Sequence, residues 1–149
     1  MADIRKILCA VDFSPMAPHV ADYARTLAQA LGAEVVVLYV APTLKRYGSF
    51  AVSPESIENF VAAIVNGARE TMDEFLERQL PGVKAKGLVE MGYAPEAINA
   101  VAVNEGCGLV VMGTHGRRGI DRIVFGSVAE KVVKTSVVPV LTVHPPKDL

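Results

Sequence analysis

The chain has 149 residues, 51% of them hydrophobic, and a formal net charge of −1. Such a composition excludes a disordered chain, and the near-zero charge gives no field that would draw the protein to nucleic acid or to an anionic membrane. The length suits one domain over 1–149, able to bury roughly 68–70% of its unfolded surface without staples.

Lys6 to Asp12 reads as a first strand, apolar nearly throughout and ending in a carboxylate. Phe13-Ser14-Pro15 turns the chain, with Ser14 as cap and Pro15 at the first position of the following helix. Val20, Ala24, Leu27, Ala28 and Leu31 recur at helical spacing, and Gly32 stops that helix. Glu34 to Val40 is a second strand rich in β-branched residues, and Ala41 to Val52 is a loop. Ser53-Pro54-Glu55 opens a long helix whose inner face is Ile57, Phe60, Val61, Ile64, Ala68, Met72, Phe75 and Leu76. Val83 to Glu90 is a third strand with two lysines, which suits an edge. A third helix follows Pro95, with Ala97, Ile98, Val101 and Ala102 inward and Gly106 as its stop. Leu109 to Met112 is a short apolar fourth strand, Ser127 to about Thr135 a fourth helix, and Val138 to Val143 a fifth strand. Strands alternating with helices imply a parallel sheet covered on both faces.

Cys9 and Cys107 read as small buried hydrophobes, since neither stands in a metal or redox spacing. The N-terminal apolar run is too short for a signal peptide, and no run approaches the ~18 residues needed to span a bilayer, so a cytoplasmic protein is expected.

The stretch from Leu109 to Glu130, LVVMGTHGRRGIDRIVFGSVAE, carries the chemistry. It runs strand, glycine-rich loop, helix start. Glycines let the main chain approach a ligand closely, and the first amides of a helix have no internal partner. Those amides sit at the positive end of the helix dipole, where a phosphate is held. Arg117 and Arg118 add charge within the loop. Ser127 has two readings: its hydroxyl, or the Ser127 and Val128 amides, on a phosphate, or a capping box with Glu130. His115 is a candidate for a hydrogen bond through ring or backbone. Asp12 would stand at the crevice beyond the strand ends, as acceptor for a ribose hydroxyl or an adenine amino group. Ala10, and Val40 at the end of the second strand, could form an apolar wall for a base, although Val40 by itself reads as a core residue. A base–nucleophile–orienter set, paired carboxylates and a metal cluster are all missing from the pattern.

The spacing from Gly113 through Gly116 to Gly126-Ser127, G-x2-G-x9-G-S, resembles the ATP-binding signature of the universal stress protein family. KILCAVDFS, VVVLYV and VPVLTV look like that family's strands in the same order, so the likeness covers nearly the whole chain. It implies a three-layer α/β/α fold of the adenine nucleotide alpha hydrolase type, with an open five-stranded sheet in the order 3-2-1-4-5. It also implies an ATP site between strands 1 and 4, formed by Ala10, Asp12, Val40, Met112, Gly113, His115, Gly116, Arg117, Arg118, Gly126, Ser127 and Val128. Mg²⁺ or Mn²⁺ would arrive on the phosphates. A nucleotide-dependent stress-response homodimer through strand 138–143 follows from the same likeness and from that strand's uncharged, apolar edge. The alternatives are a slow ATP hydrolase and a dimeric interaction module that binds no nucleotide.

Overall fold

The computed structural model describes residues 1–43, 53–115 and 125–147. Among the described residues nine elements follow one another: β1 (Lys6–Val11), α1 (Ala17–Leu31), β2 (Glu34–Ala41), α2 (Pro54–Gln79), β3 (Ala85–Met91), α3 (Ala94–Asn104), β4 (Leu109–Gly113), α4 (Ser127–Thr135) and β5 (Val140–Val143). The strands form one parallel sheet in the order β3-β2-β1-β4-β5, as expected.

Alternation along the central strands builds both faces. Ile7, Cys9, Val35, Val37 and Val111 point to one side, against Val20, Ala21 and Ala24 of α1 and Met72 and Phe75 of α2. Leu8, Ala10, Val36, Leu38, Val110 and Met112 point to the other, against Ile98 and Val101 of α3 and Ala129 and Val132 of α4. A strand buried on both faces has no use for polar residues, hence the unbroken apolar runs. At the β3 edge, a Cβ on Gly87 would run into the Met72 side chain, so the glycine is what lets α2 lie close. The two lysines of that edge are paired, Lys84 with Glu34 at 2.8 Å and Lys86 with Glu105 at 2.7 Å.

Several boundaries differ from the sequence reading. Helix α1 starts at Ala17 with Met16 as N-cap, and no side chain caps it. Ser14 instead forms the turn before it, accepting from the Met16 amide on its hydroxyl and from the Ala17 amide on its carbonyl. Ser53 does cap α2, accepting from the Ser56 amide at 3.2 Å. The expected inner face of α2 holds only in its second half: Ala68, Met72 and Phe75 are buried, while Phe60 is 58% exposed. Strand β3 begins two residues late, and β5 begins at Val140 rather than Val138. There the Ser136 hydroxyl donates to the Val138 carbonyl and accepts from its amide, which holds 136–138 in a turn.

Candidate functional site

Connections from β1 and β4 leave the sheet in opposite directions, and a crevice opens beyond their carboxyl ends. Ala10 and Met112 are register partners there. A cavity of about 640 Å³ fills the crevice. Its lining includes Ala10, Asp12, Val40, Met112, Gly113, His115, Gly126, Ser127 and Val128, which is every described residue of the expected site. Gly116, Arg117 and Arg118 lie outside the described residues. The sequence reading missed Leu38, Met16, Ala94, Ile98 and Thr114, which also line the cavity. Ala94 had a usable signal: in a parallel α/β fold, helices begin at the end of the sheet where strands finish.

Helix starts around the cavity are not equivalent. At α1, Ser14 occupies the Met16 and Ala17 amides, and Pro18 has none to give. At α3, Pro95 removes an amide from the first turn. Helix α4 is the open one. Its N-cap is Gly126, whose amide donates to the Thr114 carbonyl at 2.7 Å. Among the described residues no partner is found for the Ser127, Val128 and Ala129 amides, and all three residues border the cavity.

The capping-box reading of Ser127 is not realised. Gly126, not Ser127, is the N-cap, no side chain makes a cap bond, and Glu130 pairs with Lys134 at 2.7 Å. The Lys134 ammonium holds the Glu130 carboxyl below its usual range. Ser127 is exposed at the cavity rim, with its hydroxyl unused by its own helix.

Asp12 follows the last residue of β1. Its Oδ1 accepts from the Ser14 amide at 2.9 Å, so the carboxylate also organises the turn. Thr114 and His115 are both buried. The Thr114 hydroxyl and His115 Nδ1 share a hydrogen bond of 2.8 Å, and the Thr114 amide donates to the Val143 carbonyl. His115 Nε2 is buried without a hydrogen-bond partner among the described residues. No three of His, Cys, Asp and Glu gather into a metal site among the described residues. No helix among them is long and apolar enough to cross a membrane.

An open parallel sheet with a cavity at its switch point defines an α/β protein of the kind that receives ligands beyond its strand ends. The chain belongs to the universal stress protein family, whose model matches residues 3–144. It is 29% identical to universal stress protein MJ0577 of Methanocaldococcus jannaschii, over 93% of this chain and 94% of that one. Universal stress protein MJ0531 of the same organism is 30% identical, over 96% of this chain and 84% of that one. The solved structure of MJ0577 superimposes with a TM-score of 0.85 at 27% identity, covering 97% of this chain and 99% of that one. A universal stress protein from Archaeoglobus fulgidus, solved in complex with dAMP, has the same fold: TM-score 0.62 and 19% identity, over 97% of this chain and all of that one.

Proposed function

We propose that the cavity takes an adenine nucleotide, with ATP as the first candidate. The carrying observation is the α4 start: consecutive open amides and an unused Ser127 hydroxyl, set on the same cavity as Asp12. Unpartnered amides at a helix N-terminus are an anion site. The cavity's other side is apolar, through Ala10, Leu38, Val40, Ile98 and Met112, which suits a base. Asp12, on the cavity lining, is the acceptor for a ribose hydroxyl or the adenine amino group. Gly113, Gly116 and Gly126 let the main chain close on the phosphates, and Arg117 or Arg118 adds charge there. His115 joins that loop to β4. The dAMP complex of the Archaeoglobus fulgidus protein, on the same fold, supports the class of ligand. A Mg²⁺ or Mn²⁺ ion is carried by the phosphates rather than by a protein cage.

The nucleotide biases the conformation or partner choice of a cytoplasmic stress-response homodimer paired through β5. Mass spectrometry of the gently purified protein tests the ligand: a co-purifying adenine nucleotide supports the reading. Protein that carries none, and takes up none of ATP, ADP or AMP at millimolar concentration, counts against it.

A further inference from the structure

Phe13 has a φ of 56°, and among the described residues no other non-glycine residue has a positive φ. A bulky side chain seldom adopts that conformation unless its surroundings enforce it. Here they do so with two rings. Phe13 stacks on Tyr39 of β2 with centroids 4.8 Å apart and planes at 30°. It meets Phe75 of α2 edge-on, with centroids 5.7 Å apart and planes at 67°. Such pairs contribute beyond the area they bury.

The position of this residue matters. Phe13 stands directly between Asp12, which borders the cavity, and Ser14, whose amide donates to Asp12 Oδ1. A left-handed residue reverses the chain within one step. The ring therefore goes into the core beside α2 while the residue before it stays at the cavity. With a negative φ at 13, the Ser14 amide would swing away and the carboxylate would lose that bond. We infer that Phe13 is a positioning residue: its ring, held by Tyr39 and Phe75, enforces the left-handed turn that aims the Asp12 carboxylate into the cavity, a role that rests on the nucleotide reading above.

The test is ATP calorimetry on Phe13→Ala, Phe13→Gly and Phe13→Tyr, each also made with Asp12→Ala. Alongside it, the Ser14 amide resonance is followed in nucleotide-free protein. Phe13→Tyr keeps the ring and should bind as the parent does. Phe13→Ala should bind about ten-fold more weakly, a fraction of what a charged hydrogen bond contributes. Phe13→Gly should fall between them, since glycine takes positive φ freely without being held there. With Asp12→Ala present, the Phe13→Ala loss should shrink to less than about two-fold, because the two act as one unit. In the free protein, the Ser14 amide should leave its hydrogen-bonded position in Phe13→Ala and keep it in Phe13→Tyr. Parent-like ATP binding by Phe13→Ala overturns the inference. So does an equal loss with and without Asp12, or an unmoved Ser14 amide. If Phe13→Ala does not fold, Phe13→Gly and Tyr39→Leu carry the same comparison. A parent protein that binds no ATP defeats the nucleotide reading alone, and the Ser14 amide then decides whether Phe13 sets Asp12.

Discussion

The Gly126 amide donates to the Thr114 carbonyl at 2.7 Å, which fastens the start of α4 to the end of β4. Thr114 is fastened in turn, its amide donating to the Val143 carbonyl at 2.9 Å. The start of α4 is thereby held at the carboxyl end of β4, one strand from the sheet's centre.

Gly113 is itself closely surrounded. A Cβ there would lie 3.3 Å from the His115 carbonyl oxygen and 3.4 Å from both Met16 Cε and Val20 Cγ2. Gly113→Ala is expected to cost about 1–3 kcal/mol of stability, in the range of an overpacked core. Urea unfolding measures this, and an unchanged midpoint would show that the strand end yields more easily than its neighbours suggest.

Two serines separate capping from ligand contact. Ser53 caps α2, so Ser53→Ala should lower stability by about 1 kcal/mol and leave nucleotide affinity alone. Ser127 caps nothing, so Ser127→Ala should leave the melting temperature nearly unchanged and weaken ATP binding by roughly 0.5–1.5 kcal/mol. Thermal melts and calorimetry on both variants give the comparison. The reverse pattern would return Ser127 to the capping role.

Burial pushes the Cys9 thiol up to about 12 from 9.0. A raised pKa in the folded state means the contribution is fully present below pH 9. It is then lost as pH climbs towards 12, because the unfolded chain ionises first. Stability of the parent should fall faster than that of Cys9→Ala between pH 9 and 11, by up to about 1.4 kcal/mol per pH unit. Parallel pH profiles would show that Cys9 is not the group responsible. Burial also raises the Cys107 thiol, so part of the slope should persist in Cys9→Ala.

Strand β5 is the sheet's outer edge beyond β4, and Leu141 on it is 37% exposed, with Val137 just before it 84% exposed. An uncharged apolar edge invites pairing with a second copy around a two-fold axis. Sedimentation at micromolar concentration should give twice the chain mass, and Leu141→Asp should shift it to monomer or to aggregate. A monomeric parent would contradict the edge argument.

Much of this fold was readable because its strands are buried on both faces. VVV in β2 and VVM in β4 leave no ambiguity about layer. Boundaries were less readable where a side chain competes locally with the backbone. Ser136 holds 136–138 out of β5, and Ser14 delays α1 by serving two amides of its own turn. Ser127-x-x-Glu130 has a capping-box spacing, yet Lys134 takes the glutamate, and only the fold shows Gly126 one residue earlier as the cap. The gathering of Asp12, Gly113 and Ser127 was legible through their places at strand and helix ends together with the strand order that the family resemblance implied. The left-handed turn at Phe13 was not, because phenylalanine carries no signal for positive φ and its cause is two rings distant in sequence.

In the proposed complex the adenine nucleotide lies with its phosphates at the start of α4. Calorimetric titration of ATP into the parent, Gly126→Val and Asp12→Ala decides whether it does. Gly126 has a φ of −62° and ψ of 157°, which valine also adopts, so the fold should survive the change. The expected result is one site per chain in the parent. Gly126→Val should lose roughly a hundred-fold in affinity, about 2.7 kcal/mol, and Asp12→Ala about 1.5–3 kcal/mol. Unchanged affinity in both variants, or no heat with the parent at millimolar ATP, would contradict the placement of the nucleotide in this cavity.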